Sequence, residues 1–172
     1  LYPKSADELV TYELLRNKSE TNFPDVVVFI ADASNLKRNL LLFTQVCDLG
    51  CPAILALNMM DVAERRGIIY DTGILEQQLG VPVVPINARK KLGIDTLKQV
   101  LADKLPTEPQ TYFSMEKVNP DLLNMLCKVV DKRNPYAALQ YAINAAELIS
   151  EKSARLKEIF QSYQFNAHQF QE

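Results

Sequence analysis

The chain has 172 residues, a length that fits one domain or one domain with a small addition. Apolar residues make up 48% and charged residues 23% of it, values that are typical of a folded soluble protein. The formal net charge of -2 gives no basic surface for nucleic acid, and no apolar run reaches the roughly 20 residues that a membrane span needs.

Strand and helix patterns alternate through the first 105 residues. Three apolar runs, at residues 26–31, 53–57 and 81–86, predict parallel strands that are covered on both faces. Helical patterns are found after a capping box at residues 5–8, along an apolar stripe at 36–47, and at residues 72–79 and 94–105. The alternation predicts right-handed crossovers, and therefore a three-layer α/β fold around a parallel sheet. The two prolines of the third strand suit an edge position.

The sequence pattern changes after residue 105, and no further strand pattern follows. Asn119 and Asn134 each precede a proline, an arrangement that places a capping residue before the first helical position. Helices are predicted at residues 121–132, 136–150 and 153–163. We therefore predict two domains, an α/β part at 1–105 and a small all-α part at 106–172.

Two polar motifs stand at the ends of the second and third predicted strands. They are Asn58-Met59-Met60-Asp61 and Asn87-Ala88-Arg89. Ligands of parallel α/β sheets bind beyond the carboxyl ends of the strands, so both motifs lie where a ligand is expected. Guanine presents two N–H donors on one edge where adenine does not, and one carboxylate can accept both. Each motif alone also fits ordinary turn and capping residues, but their occurrence at successive strand ends favours guanine recognition.

The motifs suggest a division of roles around a guanine base. The Asp61 carboxylate accepts from the two N–H donors, and the Asn58 amide holds the loop and reaches the other edge of the ring. Met59 can pack on the base, and the second motif offers a backbone N–H to the guanine carbonyl oxygen. The candidate base-binding residues are Asn58, Met59, Asp61, Asn87, Ala88 and Arg89. We assign no catalytic residue to this chain.

Cys47, Cys51 and Cys127 are the three cysteines, and they form no C-x-x-C pair. An odd number in this arrangement predicts reduced, mostly buried thiols in a cytoplasmic setting. His168 is the single histidine, so a histidine-based metal site has little support. We assign no metal ligand.

These motifs together resemble the FeoB family of ferrous iron transporters, whose cytoplasmic G domain is Ras-like. Beyond the two polar motifs, the resemblance rests on Asp25–Val28, on Asp32-Ala33 with Asn35-Leu36 and Arg38-Asn39-Leu40, on Leu55–Leu57, Gly80–Pro85, Lys90 and Gly93-Ile94. Asn134-Pro135-Tyr136 and Leu139-Gln140-Tyr141 are similar to the helical domain that follows in the family, and Leu1-Tyr2-Pro3 to the stretch beyond its switch II motif. The resemblance implies the last three strands of the G domain.

The resemblance also implies a function for the parent protein. It implies GTP and GDP as ligands, Mg²⁺ in the complete domain, and GTP hydrolysis coupled to Fe²⁺ uptake. The helical part resembles a regulator of nucleotide dissociation. The implied partner is the protein's own transmembrane domain, at the cytoplasmic face of the bacterial inner membrane. It leaves homo-oligomerisation open and implies no nucleic acid.

The chain departs from complete GTPases in what it lacks. Neither G-x-x-x-x-G-K-[ST] nor D-x-x-G occurs in the 172 residues, so the groups that hold phosphates, Mg²⁺ and water are absent from them. We expect this half of the domain, with a strand beside residues 26–31, to precede Leu1, and we expect the chain alone to be inactive. Met59 replaces the usual lysine of GTPases, which predicts modest affinity. Asn87 replaces the family's more frequent Ser or Thr.

Two alternatives stay open at this point. The chain could be a binding module that recognises a partner or a guanine base and hydrolyses nothing. It could also belong to a different Ras-like GTPase, such as a ribosome-assembly factor. The helical part of such a factor usually carries basic residues for RNA, and residues 106–172 show no such surplus.

Overall fold

The computed structural model describes residues 10–11, 14–15, 23–103, 108–114, 118–130, 134–146 and 151–166. They belong to two compact units, Leu1–Tyr112 and Phe113–Glu172. The sequence pattern changes at residue 106, whereas the compact units divide after Tyr112. The ring of Tyr112 packs on an apolar cluster of the first unit, and its N–H donates to the Asp48 carboxylate at 2.6 Å. The predicted capping box at residues 5–8, the Leu1-Tyr2-Pro3 stretch and His168 lie outside the described residues.

A parallel sheet of three strands organises the first unit. The strands are β1 (Val27–Asp32), β2 (Ala53–Asn58) and β3 (Val83–Pro85), in the order β1-β2-β3. Both strand pairs are parallel, which confirms the predicted α/β fold. The third strand is shorter than the predicted run 81–86, because Pro82 and Pro85 have no N–H with which to extend the ladder.

Four helices accompany the sheet. They are α1 (Leu36–Asp48), which follows a short 3-10 helix at Ala33–Asn35, then α2 (Met60–Arg65), α3 (Thr72–Leu79) and α4 (Ile94–Asp103). The prediction for α3 is confirmed, and α2 was not predicted. Asp32 caps the 3-10 helix, because its carboxylate accepts from the N–H of Ser34 at 2.8 Å. Asn35, the N-cap residue of α1, makes no side-chain capping bond.

The sheet separates two apolar clusters, and the alternation of β2 explains how. Residues 53–57 are all at most 1% exposed. Leu55 and Leu57 pack with Phe43 of α1 on one face, whereas Ile54 and Ala56 pack with α4 on the other face. A strand that is apolar on both faces therefore forms the middle layer of a three-layer α/β/α unit, as the uninterrupted apolar pattern predicted. On the outer strand β1, Ile30 is 62% exposed.

The second unit consists of helices in the ranges that the structure describes. These are α5 (Pro120–Val130), α6 (Pro135–Ala146) and α7 (Glu151–Ser162). The Asn119 side chain accepts from the N–H of Asp121 at 2.9 Å, and the Asn134 side chain accepts from that of Ala137 at 2.9 Å, so both predicted caps are confirmed. A buried core of Leu and Ile side chains joins the three helices. None of the described helices has the length and apolar content to cross a bilayer.

Candidate functional site

The carboxyl edge of the sheet brings the two polar motifs together. Asp32 and Asn58 end β1 and β2 in register, and Asn87 follows the end of β3. The side-chain oxygen of Asn58 accepts from the backbone N–H of Ala88 at 3.1 Å. One candidate residue of the first motif therefore holds the loop of the second motif, the role that the sequence suggested for the Asn58 amide.

The loop after β3 is closed by backbone and side-chain bonds. The N–H of Asn87 donates to the Leu92 carbonyl at 2.9 Å, and the N–H of Leu92 donates back at 3.1 Å. The Asn87 side chain accepts from the N–H of Lys90 at 3.0 Å. Because an asparagine side chain readily closes such a turn, Asn87 supports the loop.

The backbone donors of this loop are mostly engaged. The N–H groups of Ala88, Lys90 and Lys91 donate to Asn58, Asn87 and Ala88, respectively. In the part of the chain that the structure describes, the N–H of Arg89 is the one backbone donor of residues 87–92 that has no acceptor. The loop therefore presents a single free backbone donor close to Asn58, and the N–H of Ala88 becomes available if Asn58 releases it.

Asp61 lies in the first turn of α2, with 36% of its side chain exposed. Among the described residues its salt-bridge partner is Arg65, whose guanidinium is 3.7 Å from one carboxylate oxygen, and the Arg65 side chain is itself 71% exposed. An exposed pair of this kind contributes little stability, so it does not compete strongly for the carboxylate. Asp61 thus keeps acceptor capacity for two N–H donors.

Met59 connects β2 to α2 through a left-handed backbone conformation, with φ 62° and ψ 31°. Positive φ is uncommon for a residue with a side chain and costs on the order of 1–3 kcal/mol. Its carbonyl accepts from the N–H groups of Val62 and Ala63, which closes the first turn of α2. The side chain is 43% exposed. The strained turn therefore starts α2 directly after Asn58 and leaves the methionine side chain accessible.

The structure explains why glycine stands at position 93, directly before α4. It has φ 77°, and a Cβ atom built on it would overlap the carbonyl oxygen of Pro85. The chain that enters α4 therefore passes against the end of β3, and this close approach closes the loop of residues 87–92.

The cysteines are free thiols, and Cys47 and Cys51 are fully buried. Burial raises the pKa of Cys47 to about 12, with smaller contributions from the charge of Asp48 and from Cys51. The thiol is therefore protonated at neutral pH. Within the described ranges, no group of three or more His, Cys, Asp or Glu side chains could hold a metal ion.

Comparison with known proteins identifies the family. A family model described as "Ferrous iron transport protein B" matches residues 1–101. The chain belongs to the ferrous iron transport protein B family. The Fe(2+) transporter FeoB of Legionella pneumophila strain Paris is 49% identical over 106 residues, which are 59% of this chain and 14% of that protein. The FeoB of Salmonella typhimurium is 46% identical over 74 residues, 43% of this chain and 10% of that protein.

Solved FeoB structures match the fold. The cytosolic domain of L. pneumophila FeoB has a TM-score of 0.69 and 31% identity, and the match covers 94% of this chain and 66% of that chain. The FeoB G domain of Methanococcus jannaschii has a TM-score of 0.52 and 43% identity, covering 58% of this chain and 61% of that chain. The mGMPPNP-bound NFeoB of S. thermophilus has a TM-score of 0.69 and 25% identity, covering 96% and 67%. The family match decides against a ribosome-assembly GTPase. The chain spans 14% or less of the curated relatives' length.

Proposed function

We propose that this chain supplies the guanine-recognition edge of the GTP-binding domain of a ferrous iron transporter. The observation that carries the proposal is the hydrogen bond from Ala88 to the Asn58 side chain, because it joins two motifs 30 residues apart into one edge. Relatives solved with mGDP or mGMPPNP support a guanine nucleotide as the ligand.

The chemistry of the edge matches a guanine base. The Asp61 carboxylate accepts from the N1 and N2 donors, and the free N–H of Arg89 donates to the guanine carbonyl oxygen. When the base binds, the N–H of Ala88 can leave the Asn58 side chain and donate to the same guanine oxygen. Met59 then covers one face of the ring without contributing charge. Adenine does not present these two N–H donors, so its binding would leave the Asp61 carboxylate unpaired. The free-energy cost of the unpaired carboxylate selects against adenine.

We assign no hydrolytic step to these 172 residues. They contain no G-x-x-x-x-G-K-[ST] or D-x-x-G sequence, and no Mg²⁺ ligand is assigned to them. GTP binding and hydrolysis by the parent protein, at the cytoplasmic face of the membrane, are proposed to be relayed to its transmembrane domain for Fe²⁺ uptake. The alternative is a module that binds the base and never takes part in hydrolysis.

Nuclear magnetic resonance of the chain can test base recognition directly. Guanosine, inosine and adenosine monophosphates are titrated to millimolar concentrations while the amide signals of residues 58–61 and 87–89 are followed. GMP should bind more tightly than IMP, which lacks the exocyclic amino group, and more tightly than AMP. Asp61→Asn should weaken GMP binding by roughly 10-fold or more, the value of a hydrogen bond to a charged group.

Asp71→Asn is the matched control for this substitution. Asp71 caps α3 by accepting from the N–H of Ile74 at 3.0 Å, and asparagine caps a helix equally well. This variant should therefore retain the GMP preference. If GMP and AMP perturb the same signals with equal affinity, Asn58 and Asp61 are turn and capping residues, and the proposed function is wrong.

A further inference from the structure

Tyr70 links two segments of the carboxyl edge that are far apart in sequence. Its hydroxyl group donates to the carbonyl oxygen of Ala33 at 2.7 Å. Tyr70 follows α2, whereas Ala33 follows the last residue of β1. The bond therefore ties the chain that leaves α2 to the turn at the end of β1.

Asp61 lies on the segment between Asn58 and Tyr70, and the Tyr70 bond anchors the far end of this segment. At the first end, Asn58 is held in register with Asp32 by the sheet. Between the two ends, α2 packs beside the turn formed by Ala33–Asn35. The Met60 side chain and the Tyr70 ring both pack against the apolar cluster on the α1 face of the sheet. Helix α2 is thus fixed at its start by the sheet and at its exit by Tyr70.

The anchor of Tyr70 is itself rigid. Ala33 is fully buried, and the Asp32 carboxylate fixes the turn by accepting from the N–H of Ser34. The chain between α2 and Tyr70 bonds back to α2 itself, for example from the N–H of Ile68 to the Ala63 carbonyl at 3.0 Å. Beyond these local bonds, Ile69 is 89% exposed, and Gly67 has open space where a side chain would stand. The hydroxyl group of Tyr70 therefore holds the segment after α2 against the turn at the end of β1.

We propose that Tyr70 is a positioning residue for guanine recognition, holding α2 so that the Asp61 carboxylate meets the N1 and N2 donors of the base. The inference rests on the proposed function, because it concerns the same site. Tyr70 itself does not touch the ligand in this proposal. Recognition by a carboxylate depends on placement to within about 0.5 Å, so a small shift of a six-residue helix reduces discrimination.

The test compares Tyr70→Phe with Tyr112→Phe in the chain. Each substitution removes one tyrosine hydroxyl group. The hydroxyl group of Tyr112 also donates to a backbone carbonyl, that of Leu79, at 2.5 Å. Leu79 ends α3 and lies ahead of β3, at the opposite edge of the sheet. Both variants should unfold at lower urea concentration than the original chain, so loss of stability does not distinguish them.

Two readouts distinguish positioning from stability. The ratio of GMP to IMP affinity reports the contact of Asp61 with the exocyclic amino group, and it should fall about threefold to tenfold in Tyr70→Phe and stay unchanged in Tyr112→Phe. Hydrogen exchange without ligand should accelerate at the amides of α2 in Tyr70→Phe alone.

The outcomes separate this inference from the proposed function. If the original chain prefers GMP to IMP and Tyr70→Phe keeps both the ratio and the exchange rates, the positioning role is overturned and base recognition stands. Equal changes in the two tyrosine variants also overturn it, because the effect would then follow from stability. If the original chain shows no preference for GMP, the proposed function fails, and the role of Tyr70 in recognition fails with it.

Discussion

Replacement of Gly93 by alanine should damage the candidate site through its backbone. Gly93 has a left-handed φ of 77°, and its hypothetical Cβ would overlap the Pro85 carbonyl oxygen and lie 3.1 Å from the Ile86 Cα. Neither neighbour can rotate away, because both atoms belong to the backbone at the end of β3. We therefore predict that Gly93→Ala pushes the start of α4 away from β3 and opens the loop of residues 87–92.

Gly67 provides a control that separates conformation from overlap. It has a similar φ of 73°, but a Cβ built there meets nothing within 4 Å. A left-handed conformation costs a residue with a side chain roughly 1–2 kcal/mol, so Gly67→Ala should lose about that much stability. Gly93→Ala should lose the same amount and about 1–3 kcal/mol more, the usual cost of forcing extra atoms into a packed region.

Urea unfolding of the two variants measures this difference, and hydrogen exchange locates it. The N–H groups of Asn87 and Leu92, which bond across the loop, should exchange faster in Gly93→Ala and at the original rate in Gly67→Ala. If the two variants lose equal stability, the left-handed φ accounts for the whole effect. The reasoning from the Pro85 overlap would then be refuted.

Two further substitutions test the edge and the core. Asn58→Ala should lose only about 0.5–1 kcal/mol, because the bond to Ala88 is exposed and water can replace it, but the Ala88 amide should lose its protection from hydrogen exchange; unchanged protection would contradict the role of Asn58. Because the pKa of Cys47 rises from 9.0 to about 12 on burial, the folded chain keeps its proton while the unfolded chain loses it, so stability should fall as the pH rises from 9 towards 12. Cys47→Ala should reduce that pH dependence in urea unfolding, and a thiol reagent at pH 8 should modify half-buried Cys127 before Cys47; the reverse order would contradict the burial argument.

The sequence predicted those features that depend on short-range patterns. An uninterrupted apolar run predicts a buried strand such as β2, and the helical pattern at residues 72–79 predicts α3. Helix α2 escaped prediction because it has six residues, too few for an apolar stripe, and because it starts from a strained Met59 without a side-chain cap. The Tyr70 contact with Ala33 could not be predicted, since it depends on the tertiary packing of residues 37 positions apart.

Two levels of hydrogen bonding, within each turn and between turns, explain how loops at this edge can be ordered enough for recognition. Each turn is ordered by a local bond to its own backbone: Asp32 accepts from the N–H of Ser34, and Asn87 accepts from the N–H of Lys90. Single side-chain bonds join these turns to neighbouring segments: the Asn58 side chain bonds to Ala88, and the Tyr70 hydroxyl group bonds to Ala33. Because the turns are already ordered, each joining bond immobilises little additional chain, and a bond of about 1 kcal/mol suffices to hold one turn against the next. Loss of a joining bond should therefore reduce base discrimination more than it reduces stability.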